Sequence, residues 1–150
     1  MIGRRAAMGR LGASLLACTA LTGAAPAGSV AFVTVARGAR SGVRDAAQSV
    51  VRSADGWAAL WARHAGASAA PPPVDFATEM IIAVFAGTRP TTGYDVEITR
   101  VVATDGGLRV SYRERRPPAG TIVSPVLTAP FHIIRLPRAD GPVELSREPA

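Results

Sequence analysis

The sequence predicts an α+β domain, a mostly antiparallel β-sheet of about six to eight short strands with one amphipathic helix near residues 54–65. Three observations predict this class. Residues 80–85 form a continuous apolar run of strand length, and residues 94–102 and 108–112 alternate apolar and polar side chains as half-buried strands do. The apolar face of the helix repeats at helical spacing: Trp57, Leu60, Trp61 and His64.

Local signals define the elements that precede the central strand. Residues 30–35 are predicted to form a short strand because they are rich in β-branched side chains, and residues 48–52 are predicted to form a second strand. Ser53 or Asp55 can serve as the helix N-cap, and Gly66 ends the helix. After a connector rich in Ala and Pro, the continuous apolar run should form a central strand that is buried on both faces.

The two alternating segments, residues 94–102 and 108–112, are predicted to form a hairpin. Both place apolar side chains at even positions, and a shared face requires even residues opposite even ones. A three-residue loop at 105–107 achieves this register, with Thr104 opposite Leu108. It also pairs Val102 with Val110.

The same register positions the charged side chains. Glu97 should lie opposite Arg115 on the outer face of the hairpin. Glu114 should point to the inner face, and Arg100 should lie there too, at a sheet edge or paired with Glu114. Because Glu97 and Glu114 point to opposite faces, we do not expect a glycosidase-like acid/base pair.

Three more short strands are predicted at residues 121–126, 131–136 and 143–145. His132 lies on the second of these, and a packed or surface histidine is favoured over a catalytic one. The tryptophan pair of the helix is expected to face the core rather than to form an exposed aromatic anchor.

The hairpin should bring two loops to the same end of the sheet. Residues 87–93 enter its first strand, and residues 115–120 leave its second. Proline-stiffened loops lose little entropy on binding, and arginine is frequent in interfaces, although proline and glycine also simply shape turns. The candidate protein-binding residues in and beside these loops are Arg89, Pro90, Thr91, Thr92, Gly93, Tyr94, Arg115, Arg116, Pro117 and Pro118.

Residues 1–27 have the pattern of an export signal, in which arginines precede a short apolar stretch and a small-x-small exit. Cleavage after Ala27 would leave a single domain of residues 28–150. Alternatively, a run similar to a bacterial lipobox ends at Cys18, so residues 1–17 would be a lipoprotein signal and Cys18 would be lipidated. Both alternatives predict an exported, periplasmic or extracellular protein, which would meet the membrane only through a lipid anchor.

Composition argues against several classes of function. The 17 basic residues are all Arg, and 14 of them remain against 11 acidic residues once the predicted signal is discounted, so a nucleic-acid partner is not expected. The single Cys and two His leave no basis for a metal site, and no phosphate-binding glycine loop or nucleophile motif occurs. We therefore predict no catalytic, cofactor-binding or metal-binding residues. A small hydrolase assembled from Ser124, His132 and Asp75 is the least favoured alternative.

Several short stretches share their order and spacing with one protein family. They are Trp57-Ala58-Ala59-Leu60-Trp61, Pro73-Val74-Asp75-Phe76, the run at residues 80–85, the loop and strand at residues 87–98, Arg113-Glu114 before Pro117-Pro118-Ala119-Gly120, and Pro130-Phe131-His132-Ile133-Ile134. Together they resemble the PrcB C-terminal domain family of exported bacterial proteins over residues 48–137. Where the family usually has Thr-Gly-Gly-Tyr, this chain has Thr91-Thr92-Gly93-Tyr94, which predicts a stiffer loop.

The resemblance implies a non-enzymatic domain that binds another exported protein. The family's namesake is a lipoprotein that associates with and stabilises a secreted subtilisin-like protease, so the implied role is an accessory subunit of a secreted protease. The family offers no catalytic residues to carry over.

A second, shorter resemblance leaves an alternative open. The five residues from Pro90 to Tyr94 are also similar to the Pro-Thr-Thr-Gly-Tyr loop of chagasin-type inhibitors of cysteine proteases. Arg116-Pro117 is loosely similar to the start of a second inhibitory loop, and the glycine-rich third loop has no counterpart. This resemblance implies a protease inhibitor that acts through the same end of the sheet.

Overall fold

The computed structural model describes residues 28–150. This part of the chain contains one helix and seven strands, and the strands form two β-sheets. The elements are β1 (Val33–Gly38), β2 (Ala47–Val51), α1 (Ala54–Ala65), β3 (Glu79–Phe85), β4 (Asp95–Thr104), β5 (Gly107–Arg115), β6 (Phe131–Pro137) and β7 (Val143–Arg147). The predicted α+β, mostly antiparallel class is confirmed. The predicted export signal and Cys18 lie outside the described residues. Within the described range, no helix is long and apolar enough to cross a membrane.

The first sheet has the strand order β1-β6-β3-β2 and is antiparallel throughout. β3 and β6 lie at its centre because both are apolar on two faces, and their side-chain alternation divides the core in two. One set of side chains packs against the second sheet: Met80, Ile82, Val84, Ile134 and Leu136. The other set packs against α1: Ile81, Ala83, Phe85, Phe131 and Ile133. The first sheet is therefore the middle layer of three.

The helix α1 covers the outer face of the first sheet. The Ser53 hydroxyl accepts a hydrogen bond from the Gly56 N–H at 3.1 Å, which caps the first turn. At the other end, Gly66 adopts a φ of 101°, which favours glycine, and its N–H donates to the Ala62 carbonyl. Trp57, only 3% exposed, lies in the core, and its indole N–H donates to the Pro72 carbonyl.

The second sheet has the order β4-β5-β7, with β7 parallel to β5. β4 and β5 form the predicted hairpin, but its register differs. The turn has two residues, with Thr104 opposite Gly107, and the ladder shifts between Ile98 and Arg100. The extra residue at this bulge reverses which side chains face inward.

The two-residue turn and the bulge together make several of the expected positions wrong. Val101 rather than Val102 pairs with Val110 and is 1% exposed, while Arg100 points outward and is exposed. Leu108 pairs with Ala103, not with Thr104. A constant two-residue period cannot reveal a bulge, because the inserted residue leaves each half of the strand with a regular pattern.

Residues 121–126 were predicted to form a strand, and this was wrong, because they join neither sheet. Pro125 interrupts the segment, and proline has no N–H to donate to a ladder. The segment instead contacts the loop before β4. At the start of the described chain, β1 spans Val33–Gly38 rather than residues 30–35.

The imidazole of His132 joins the two sheets. It projects from β6 and is 2% exposed, and its Nδ1 accepts a hydrogen bond from the Ile98 N–H of β4 at 2.8 Å. Nδ1 is therefore unprotonated, so Nε2 carries the hydrogen and donates to the Thr34 hydroxyl of β1 at 2.9 Å. One neutral ring thus connects three strands.

Replacing His132 with alanine should destabilise the protein by about 3 kcal/mol, because a buried side chain is lost and the Ile98 N–H loses its acceptor. His132→Asn offers an oxygen near the position of Nδ1 and should be less destabilising. Urea denaturation measures both free energies of unfolding. If the two variants were equally stable, the hydrogen bond to Ile98 would not be the important contact.

Stability should also fall on acidification. Burial lowers the pKa of His132 below its ordinary value of 6.5, and Arg37 lowers it further, against the opposing charges of Glu97 and Asp95. The imidazole is therefore protonated more readily in the unfolded chain than in the folded one. The contribution of neutral His132 to the free energy of unfolding is fully present above pH 6.5 and is lost as the pH falls below that value. Burial lowers the pKa of His64 in the same direction. The unfolding free energy of His132→Asn should therefore fall less than that of the wild type between about pH 7 and about pH 4. An equally steep fall in both proteins would show that protonation of His132 does not cause the loss.

Candidate functional site

The two predicted loops do meet at one end of the molecule. Gly93 has a φ of 92°, and a Cβ placed there would lie 2.8 Å from the Pro117 Cβ, so glycine allows the loops to touch. The Arg115 guanidinium lies 3.2 Å from the Glu97 carboxylate, although the backbone partner of Arg115 is Asp95. The convergence therefore holds in spite of the changed register.

A buried carboxylate fastens the first loop. Glu114 points inward, as predicted, and is 8% exposed. Its Oε1 accepts a hydrogen bond from Arg89 Nε at 2.7 Å and forms an ion pair with Arg89 Nη2 at 2.6 Å, and Arg147 lies 3.3 Å from Oε2. Arg89 also lies over the Tyr94 ring at 6.0 Å. Arg89 is thus an anchor of its loop rather than a free side chain, and Glu114 pairs with Arg89 and Arg147 instead of Arg100.

A second cluster of charges supports the same end of the second sheet. Glu97 accepts from Arg113 at 2.8 Å, and it also pairs with Arg37 of β1 and with Arg115. The hydrogen bond from Arg113 and the charges of these arginines lower the pKa of Glu97, which therefore stays ionised in mildly acidic solution. Arg37 also pairs with Asp95. These contacts fix the base of both loops.

The sequence reasoning missed a third segment, residues 121–127, which lies against the first loop. The Thr92 N–H donates to the Ser124 carbonyl at 3.1 Å, and the Ser124 N–H donates to the Thr92 hydroxyl at 3.0 Å. Arg89 and Thr128 form a two-way backbone bridge. We call the surface formed by residues 88–94, 115–120 and 121–127 the loop face.

The third segment exposes large apolar side chains to solvent. Ile122 is 99% exposed, Leu127 65% and Val126 53%, and among the described residues Val33 is the only other large hydrophobic residue so exposed. A run of apolar residues interrupted by proline is the signal that distinguishes such a segment from a strand. The candidate residues that are themselves exposed on the loop face are Pro90, Thr92, Gly93, Arg115, Arg116 and Pro118, while Arg89, Thr91, Tyr94 and Pro117 are half-buried.

The structure places both histidines inside the fold. His64 is 8% exposed, its Nδ1 lies 2.9 Å from the Ser41 hydroxyl, and its ring packs on Phe131. His132 bonds to Thr34 and Ile98, so neither Ser124 nor Asp75 is its partner, and the hydrolase combination is not assembled. Within residues 28–150, no group of three His, Cys, Asp or Glu side chains is placed to hold a metal ion.

A cleft of about 380 Å³ lies next to the loop face, between β2 and the second sheet. Its floor is apolar, formed by Val84 and Val96, and Gln48 donates to the Tyr112 hydroxyl across it at 2.7 Å. Glu114 and its two arginines line one end. The ion pair between Glu114 and Arg89 thus links this end of the cleft to the first loop.

Glu114→Gln should weaken that anchor. Because the half-buried Arg89 would lose its charged partner, we expect a loss of about 2 kcal/mol in unfolding free energy and faster amide hydrogen exchange in residues 88–94. Glu144→Gln is the matched control, since Glu144 is 69% exposed and lies 3.7 Å from Arg109. Unchanged exchange in the loop of Glu114→Gln would show that the ion pair does not position it.

Comparison with known proteins identifies one family. The family model described as PrcB C-terminal matches residues 80–137, from the second residue of β3 to the end of β6. The matched range contains all three segments of the loop face. No curated protein and no solved structure matches the chain. The predicted family resemblance is thus confirmed, and residues 80–137 carry the pattern of the PrcB C-terminal family.

Proposed function

We propose that this protein is an exported, non-enzymatic subunit that binds another exported protein through its loop face. The favoured partner is a protease. The family match supports association with a protease complex. The observation that carries the choice of surface is the concentration of exposed apolar side chains in residues 121–127. Clustered apolar exposure on a small domain is typical of a protein-interaction site.

The chemistry of the loop face suits a protein partner. Besides its exposed apolar side chains, the loop face carries exposed arginines and prolines, and arginine is enriched in interfaces. The segments are fixed to one another through Thr92, Ser124 and Thr128, so little conformational entropy would be lost on binding.

Crosslinking tests the surface directly. A photo-crosslinking amino acid placed at position 122 or 127 should capture the same exported protein in the native envelope fraction, and mass spectrometry should identify it as a protease. The same amino acid at position 33 is the control, because Val33 is similarly exposed but lies on β1. Capture of the partner from position 33 and not from the loop face would contradict the proposed surface.

Ile122→Asp should then reduce binding to the captured partner by at least about tenfold, since a buried isoleucine contributes about 1.5–3 kcal/mol. The fully exposed side chain makes the variant neutral for folding. Isothermal titration calorimetry measures the affinity, and Val33→Asp should bind like the wild type.

An inhibitor that uses the loop from Pro90 to Tyr94 remains the alternative, and the same loop face would serve it. Thr92 and Gly93 are exposed at the tip of this loop. Dose-dependent inhibition of papain-like proteases by the purified protein would favour the inhibitor. Binding to a subtilisin-like protease without loss of its activity would favour the subunit.

Export is part of the proposal and has its own test. We expect the mature protein, isolated from the envelope fraction, to begin at Gly28 or at a lipidated Cys18. Intact-mass spectrometry distinguishes the two, because diacylation adds the mass of a lipid to the longer chain. A chain that still carries residues 1–17 in the native cell would contradict export.

A further inference from the structure

A groove of about 400 Å³ borders the loop face, between residues 39–44 and residues 126–129. One wall exposes the side chains of Val126 and Leu127. The opposite wall exposes Arg40 and Arg44. The groove is thus apolar on one side and cationic on the other.

The two arginines have no acidic partner in the described part of the chain. Neither Arg40 nor Arg44 takes part in any of the ion pairs there. No acidic side chain lines the groove, and the exposed Asp45 lies outside it. Residues 1–27 contain no Asp or Glu that could neutralise the arginines. A ligand would therefore meet uncompensated positive charge.

The walls of the groove are held in place by hydrogen bonds. The Ala129 N–H donates to the Ala39 carbonyl at 2.8 Å, which ties one wall to the other. Behind the arginines, the Gly42 N–H donates to the His64 carbonyl, and a Cβ at position 42 would lie 2.3 Å from the Arg63 carbonyl oxygen. The buried Ser41 hydroxyl bonds to His64 and to the Val43 N–H. The groove is preformed and attached to α1.

We propose that this groove docks a segment of the partner protein in which an apolar side chain is flanked by carboxylates. The inference rests on the proposed function, because it names the chemistry that the partner presents beside the loop face. The apolar side chain packs on Val126 and Leu127, and the carboxylates face Arg40 and Arg44. Complementary charge of this kind speeds association and selects the partner.

Nuclear magnetic resonance titration with three capped hexapeptides tests the proposal. The probes are Glu-Asp-Leu-Phe-Asp-Glu, its charge-inverted form Lys-Lys-Leu-Phe-Lys-Lys, and its polar form Glu-Asp-Ser-Ser-Asp-Glu. The first should bind with a dissociation constant at or below about 1 mM and shift the amide signals of residues 39–44 and 126–129. The other two should bind at least about tenfold more weakly.

Variants of both walls complete the test. Leu127→Ser and the double variant Arg40→Glu with Arg44→Glu should each weaken binding of the first peptide about tenfold. The matched controls are Val33→Ser and Arg100→Glu, which change an exposed valine and an exposed arginine that forms no ion pair within residues 28–150. Equal binding of the charge-inverted peptide, shifts confined to other residues, or no binding by the first peptide would each overturn the proposal.

The two proposals fail in different ways. If position 122 crosslinks a partner but the peptides do not shift the groove, the loop face stands and the groove assignment falls. If the groove binds the peptide but no exported protein is captured from the loop face, the proposed function falls.

Discussion

The hydrogen bond between the His132 ring and the Ile98 N–H couples two sheets that share no strand. β4 is one of the two edge strands of the second sheet, and an edge strand carries N–H groups that its own sheet does not satisfy. The imidazole supplies an acceptor from the first sheet, and Thr34 holds the ring from its other side. Arg37 adds a charged contact between β1 and β4 nearby. Together with the apolar core between the sheets, these contacts hold β4, and with it the loops, in position.

The loop face is a consequence of how the chain crosses between the sheets. β3 and β6 are antiparallel neighbours in the first sheet, and β4 and β5 are antiparallel neighbours in the second. The connection from β3 to β4 and the connection from β5 to β6 must therefore run side by side at one end. Glu114, at the end of β5, reaches across to Arg89 in the first connection and fixes the two together. This topology explains why the loops converge although the hairpin register was predicted wrongly.

The sequence predicted well wherever one pattern decides the structure. The helical spacing from Trp57 to His64 and the apolar run from Met80 to Phe85 are uninterrupted, and both elements form where expected. Prediction failed where a regular pattern is interrupted within a segment, as in the register of β4 and in the strand predicted at residues 121–126. Before the bulge near Thr99 the even-numbered side chains of β4, such as Ile98, face inward, and after it the odd-numbered Val101 does. Each half of the strand looks regular by itself. The apolar residues around Ile122 have strand-like composition, but only the fold reveals that they join neither sheet and lie against the first loop instead. The existence of a second sheet, and hence the inter-sheet role of His132, also required the three-dimensional structure.

The family match covers the loop face completely but the groove only in part. The matched residues 80–137 span the four strands that frame the crossing connections, so the loop face lies entirely within the part that follows the family pattern. The groove does not. Val126 and Leu127 lie inside the match, whereas Arg40 and Arg44 lie on the segment between β1 and β2, outside it. If the loop face binds a partner protein as proposed, the matched strands and their loops therefore supply the binding surface. The choice of an acidic partner segment follows from Arg40 and Arg44 on the neighbouring segment, because among the residues that line the groove only they carry charge.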